Sequence, residues 1–254
     1  MNGATSVSPS TVSLRWESWN QVTGCTHVSE GCRHCYAERC AERWRGIPGH
    51  HYERGFDLLL RPERLEAPLH WKRPRHVFVD SMGDLFHGRI PDDYVREVFA
   101  VMECAPQHVY HLLTKREERL AALAPSLPWP PQVWMGVTVE RLDYRRRADV
   151  LRTVPAAVRH ISAEPLLGPL DDLELGGIHL VVAGGESGPE RRPPRLQWLR
   201  GLRDRCVAAG VCFTFKGWGG GTQRAGGRLL DGREWNESPP LPAPAQDNGQ
   251  PRLF

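Results

Sequence analysis

Val133-Trp-Met-Gly-Val-Thr-Val139 is a near-continuous apolar run rather than an alternating one. A strand with one wet face alternates, whereas a run of this kind suits a parallel strand covered on both faces. Five further runs are β-rich in the same way: His76-Val-Phe-Val-Asp80, His108-Val-Tyr-His-Leu-Leu113, Val158-Arg-His-Ile-Ser162, Ile178-His-Leu-Val-Val-Ala183 and Val211-Cys-Phe-Thr-Phe215. Val12 to Trp16 is an earlier candidate. Helix-like stretches lie between them. Pro91-Asp-Asp-Tyr opens one, since a proline and two acids suit a first turn. Tyr94, Val98, Phe99 and Met102 share one face of it up to Ala105-Pro106. Leu142 to Val154 reads as another, with Arg145, Arg146 and Arg147 exposed. Pro194 to Ala209 is a third, with Leu196, Leu199, Leu202 and Cys206 as its stripe and Gly210 as its C-terminal cap. Strand and helix alternate roughly every 20–33 residues, as repeated βα units do. The pattern predicts an α/β fold, a full or partial (β/α) barrel with parallel strands and helices outside. An open doubly wound sheet is the alternative.

A chain of 254 residues, 40% of them hydrophobic, supplies one large core. We assign it to 13–235, between a flexible N-terminus (1–12) and a Pro-rich tail (236–254). A net charge of +3 is too small to indicate nucleic-acid binding by itself. No run of about 18 apolar residues exists, so no membrane span is expected. Met1 to Ser13 carries no apolar stretch and does not read as a signal peptide. Seven cysteines is an odd number, and four of them crowd into 25–40. That favours a local metal site in a reducing cytoplasm over a secreted disulfide framework. Cys104 and Cys212 lie in apolar surroundings and read as buried core thiols.

The crowded segment runs Trp19-Asn-Gln-Val-Thr-Gly-Cys25-Thr-His-Val-Ser-Glu-Gly-Cys32-Arg-His-Cys35-Tyr-Ala-Glu, a C-x6-C-x2-C spacing. Cysteine thiolates on short loops hold iron–sulfur clusters, and Gly24 and Gly31 before two of them relieve backbone strain. Three ligands leave one iron of a [4Fe–4S] cluster open to a small molecule. Zinc is the competing metal; it wants four ligands, and Cys40, His27 or His34 could supply the fourth. A purely structural thiol cluster is the third reading.

The segment resembles a variant of the radical S-adenosylmethionine (SAM) motif, whose usual spacing is C-x3-C-x2-C. Trp19-Asn20, Thr23-Gly24-Cys25, Gly31-Cys32 and Cys35-Tyr36-Ala37-Glu38 together resemble a phage-associated three-cysteine-motif family of uncharacterised proteins. So do Asp80-Ser-Met-Gly-Asp84-Leu-Phe86-His87, Leu113-Thr114-Lys115-Arg116, Gly136-Val-Thr138-Val-Glu140, Ser162-Ala-Glu164-Pro165, Gly184-Gly-Glu186-Ser187-Gly188 and Phe215-Lys216-Gly-Trp218-Gly219. The resemblance covers about residues 16–222 and departs at Gly217, where a glutamine is expected. It implies a metal-binding enzyme holding a [4Fe–4S] cluster on Cys25, Cys32 and Cys35 and binding S-adenosyl-L-methionine. One electron, from a donor protein such as a flavodoxin or ferredoxin, would cleave SAM to a 5′-deoxyadenosyl radical that takes hydrogen from an unknown substrate.

Each of those later segments falls at the C-terminal end of a predicted strand, the rim that carries active sites in barrels. Asp80 and Asp84, Thr114 and Lys115, Thr138 and Glu140, Ser162 and Glu164, Glu186 and Ser187, and Lys216 follow successive strands. Any one of them could merely cap a helix. Six in a row point to a polar pocket facing the cysteines. We expect Asp84 and Glu186 to contact SAM, Lys115, Arg116 or Lys216 to meet a carboxylate, and Gly184-Gly185 to let backbone approach the adenosine. Gly184 to Gly188 could instead cradle a phosphate, though it lacks the lysine and spacing of a P-loop. Arg145–Arg147 and Arg191–Arg195 are either solvated faces or contacts for a nucleic-acid substrate. A non-catalytic, metal-stabilised nucleic-acid-binding protein is the alternative function.

Overall fold

The computed structural model describes residues 14–222 and 225–241. Seven strands form its one large sheet: β1 (Arg15–Trp19), β2 (Arg75–Val79), β3 (Val109–Thr114), β4 (Val133–Thr138), β5 (Val158–Ala163), β6 (Leu180–Gly184) and β7 (Cys212–Gly217). They lie side by side in chain order, every neighbour parallel. Among the described residues five α-helices accompany them: α1 (Tyr36–Glu42), α2 (Asp92–Cys104), α3 (Glu117–Leu123), α4 (Arg146–Thr153) and α5 (Leu196–Ala209).

Strand order decides between the two predicted topologies. Right-handed crossovers between strands laid down in sequence put every helix on the same face. A doubly wound sheet needs a reversal of order, and there is none. The sheet curls into a half-barrel, with β1 and β7 as its open edges. One set of alternate strand residues, including Val77, Val79, Tyr110, Leu112, Met135, Val137, Ile161, Val181 and Phe213, packs beneath the helices with Val98, Phe99, Met102, Leu120, Leu151, Leu199 and Leu202. The β5–β6 connection carries no helix among the described residues, and Leu166, Leu170, Leu173, Leu175 and Ile178 anchor it in that core instead. Trp235 to Glu237 continues antiparallel along β7, where Phe215 N–H reaches the Trp235 carbonyl at 2.9 Å.

The other set of alternate residues faces inward. Its lower part is filled by aromatic rings. Trp16 stacks on His76 at 4.8 Å, and His111 meets Trp134 edge-on at 4.8 Å. His76 Nδ1 and His111 Nε2 share a hydrogen bond of 2.9 Å. His160 leans across Gly136, where any Cβ would lie 2.1 Å from its Nε2. Trp134 also packs with Val109, Val158 and Leu14 in a small apolar cluster. The lower interior is thus occupied by the chain's own side chains.

Several expectations shift. Among the described residues the first strand runs Arg15–Trp19, beyond the expected end at Trp16, because its anchor is Trp19, buried and donating its indole N–H to the Arg64 carbonyl at 2.8 Å. Val12 and Ser13 lie outside the described residues, as do segment 1–12 and the tail beyond 241. Cys104 is exposed at the end of α2 and Cys212 half-buried; Cys206 is the fully buried thiol, with its pKa pushed by burial to about 12. No helix among the described residues is long and apolar enough to cross a membrane.

Candidate functional site

Between β1 and α1 the chain makes a short antiparallel pair, Val22–Thr23 with Leu59–Leu60, and then turns at Gly24. Gly24 has φ +82°, and a Cβ there would lie 2.2 Å from the Asp57 carbonyl oxygen, so only glycine fits. The turn is pinned from below by Asp80, itself in the left-handed region at φ 53°. Its carboxylate accepts the Val22 N–H at 2.9 Å and the Gln21 amide at 3.0 Å. Burial raises the Asp80 pKa well above the usual carboxylate range, and nearby Asp84 adds to this.

The three cysteines follow, none in a disulfide. Cys25 accepts a contact from Arg116 Nη2 at 3.5 Å, and the same nitrogen donates to the Thr26 carbonyl and hydroxyl, each at 2.9 Å. Cys32 lies 3.8 Å from the Ser29 hydroxyl. Cys35 stands at the start of α1 and, with Cys25, packs on a small apolar patch of Ala37, Ala41 and Phe56. Burial raises both the Cys25 and Cys35 thiols; Arg116 opposes this at Cys25, and the Ala37 and Glu38 amides and Lys115 oppose it at Cys35. Cys40, further along α1, is exposed and absent from that patch. A pocket of about 280 Å³ opens beside Cys25, between Arg54, Phe56 and Arg89.

The cysteine segment lies across the C-terminal rim and is tied to loop after loop of it. After β2, the Ser81 carbonyl accepts the Tyr36 hydroxyl at 2.6 Å. After β3, Arg116 reaches Cys25 and Thr26 while its Nε sits 3.5 Å from Asp84. Asp84 in turn accepts the Thr114 hydroxyl at 2.8 Å and the Phe86 N–H at 3.0 Å. Burial raises the Asp84 pKa against the pull of Thr114 and Arg116. After β4, Glu140 is fully buried and accepts Ser29 at 2.6 Å and Arg147 at 2.7 Å. Lys115 stands 3.3 Å from the Thr138 hydroxyl and 3.9 Å from Glu140. After β6, Glu186 holds Arg192 in a fork of 2.6 and 2.9 Å, and Arg192 donates to the Glu30 carbonyl at 3.0 Å. Burial pushes the Glu186 pKa up, but the Arg192 hydrogen bonds outweigh it and hold it low. The Ser187 carbonyl accepts Arg39 of α1 at 2.6 Å.

Gly31 has an explanation other than the strain relief expected of it. Its φ is ordinary, but a Cβ there would lie 2.2 Å from Glu140 Oε1. The loop rests on that carboxylate. Gly184 and Gly185 likewise make room for protein: a Cβ at 185 would strike the Trp218 carbonyl at 2.1 Å, and one at 184 would touch the Glu164 and Lys216 side chains at 3.5 Å. Glu164 and Lys216 pair at 2.9 Å and remain partly exposed, with Ser162 one layer below on β5. Arg147, expected on a solvated face, is buried beneath Glu140.

Ser29 and Thr26 carry no motif that marks them and matter through partners distant in the chain, Glu140 and Arg116; Arg147 and Arg192, read from the sequence as parts of basic clusters, instead pair with Glu140 and Glu186. His87 adds a further tie. Its Nδ1 accepts the Arg89 N–H at 3.2 Å, so its Nε2–H donates to Thr26 at 3.0 Å, and burial with Arg116 holds its pKa down at about 4.

Among the described residues no three His, Cys, Asp or Glu side chains stand close enough to hold one metal ion. A cluster takes its thiolates from separate irons, and Lys115 and Arg116 beside Cys35 and Cys25 offset the negative charge of such a unit. Three cysteines, none in a disulfide, are the donor type a cluster takes. A family model described as a protein of unknown function, DUF5131, matches residues 10–239. No curated protein and no solved structure matches the chain.

Proposed function

We propose that this chain, which belongs to the DUF5131 family of proteins of unknown function, is a radical SAM enzyme with its [4Fe–4S] cluster on Cys25, Cys32 and Cys35. One observation carries the reading: a half-barrel of parallel strands presents a three-cysteine loop at its C-terminal rim, tied to the loops after β2, β3, β4 and β6. When bound, the cluster and SAM supply reductive cleavage of SAM to a 5′-deoxyadenosyl radical.

The chain's own residues hold and orient. Glu140, Ser29 and Gly31 set the height of the loop above the rim. Arg116 and His87 fix Cys25 through Thr26. The His–Trp rings fill the lower part of the half-barrel. Asp84 and Glu186, the expected SAM contacts, already spend their oxygens on Thr114, Phe86 and Arg192. The Glu164–Lys216 pair and Lys115 are less committed, and we assign them the amino and carboxylate groups of SAM. The cluster requires an external one-electron donor protein and a reducing, cytoplasmic setting.

The test is anaerobic incubation of reconstituted protein with SAM and dithionite, with 5′-deoxyadenosine as the readout. Its release by the wild type and not by Cys25→Ala supports the reading; none from a cluster-loaded wild type removes it. Screening nucleosides, oligonucleotides and peptides for consumption then addresses the substrate, including nucleic acid.

A further inference from the structure

We infer that Arg116 sets the reduction potential of the cluster by donating from its guanidinium to the Cys25 sulfur; this rests on the function proposed above. Among the described residues, Cys25 is the one thiol of the three with a cationic hydrogen-bond donor at its sulfur, Arg116 Nη2 at 3.5 Å. The geometry is built rather than incidental. The same nitrogen is fixed by two Thr26 acceptors at 2.9 Å, and His87 holds the Thr26 hydroxyl from the other side. Asp84 stands 3.5 Å from Arg116 Nε, and the Asp84 carboxylate is anchored in turn by Thr114. Arg116 is thus held between a carboxylate and a ligand sulfur, with the Arg116 and Asp84 side chains largely screened from solvent.

Hydrogen bonds to sulfur and local net charge are the protein's main levers on cluster potential. Reduction adds one electron from the external donor, which is oxidised by one, and leaves the cluster–thiolate unit one charge more negative. Arg116 stabilises that added charge at Cys25 and so raises the potential. Asp84 opposes it and trims the effect. Arg116 acts through a ligand and is a positioning residue for it.

An EPR-monitored redox titration of the reconstituted protein tests this. In Arg116→Gln the midpoint should fall: at the ambient potential where the wild type is half reduced, the oxidised form should exceed the reduced by about tenfold, which is 59 mV for a one-electron couple. Arg116→Lys keeps the charge without the fork and should fall in between. Asp84→Asn should move the midpoint upward, and it serves as the second arm if Arg116→Gln does not load a cluster. Midpoints unchanged from the wild type in the variants that load, or a rise in Arg116→Gln, overturn the inference while leaving the cluster intact. A wild type that takes up no cluster overturns both this and the proposed function.

Discussion

Gly31→Ala tests the seat of the cysteine loop. The added methyl would start 2.2 Å from Glu140 Oε1, 2.6 Å from Cγ and 2.7 Å from Cδ. Ordinary contact requires about 1 Å more. Glu140 cannot yield, because it is fully buried and held by Arg147 at 2.7 Å, so the loop must lift. Lifting breaks the 2.6 Å Ser29–Glu140 bond, a charge-assisted hydrogen bond whose loss costs about 1.5–3 kcal/mol. In a chain of this length that lowers Tm by roughly 3–12 °C. Glu140→Ala alone removes the seat and the nearer of Arg147's two carboxylates, leaving Glu117 at 3.6 Å and the Thr138 carbonyl at 2.9 Å, at a cost of about 3–5 kcal/mol. The two losses are not independent. Without the Glu140 side chain the Gly31 methyl has nothing to strike, so the double variant should match Glu140→Ala to within about 0.5 kcal/mol. Urea unfolding of all four proteins, read at constant m, measures the cycle. Additive losses, about 4.5–8 kcal/mol for the double variant, would refute the contact as the reason for glycine at 31.

Gly136→Ala should cost about 1–3 kcal/mol in urea unfolding, since its Cβ would lie 2.1 Å from His160 Nε2, and His160→Ala should abolish that penalty. Burial lowers the His160 pKa to about 4 in the folded chain, against about 6.5 unfolded. The unfolded state therefore binds the proton first, and the stability this group provides is lost as pH falls from about 6.5 to 4, by about 3 kcal/mol. His160→Asn should flatten that stretch of the stability–pH curve by one proton, and an unchanged slope contradicts the assignment. Iron analysis of reconstituted variants should find the metal lost in Cys25→Ala, Cys32→Ala and Cys35→Ala and retained in Cys40→Ala. Loss of all iron in Cys40→Ala would establish a four-cysteine site.

The sheet was legible because its central strands are apolar on both faces; Val133 to Val139 can be little else. The C-terminal half of β1 is hard to read because an edge strand carries polar residues: Glu17 and Ser18 hide it, and Glu17 is matched by Arg75 at 2.7 Å, 58 residues on. Rim positions followed from strand ends, and so were readable one strand at a time. What each side chain does there was not. Glu140 depends on Ser29, 111 residues away, and Arg147 looked like one more arginine on a wet face. Asp84 and Glu186 read as ligand contacts because their cationic partners cannot be seen in spacing alone. The histidines of the inner face left a signal that went unread: His76, His111 and His160 each interrupt an apolar strand on the side away from the helices.

EPR of the anaerobically reconstituted, dithionite-reduced protein, recorded with and without SAM, tests the central claim most directly. Our account expects about four irons per chain and a reduced-cluster signal that changes shape when SAM occupies the open iron. A colourless protein carrying zinc, or a cluster signal indifferent to SAM, would contradict it.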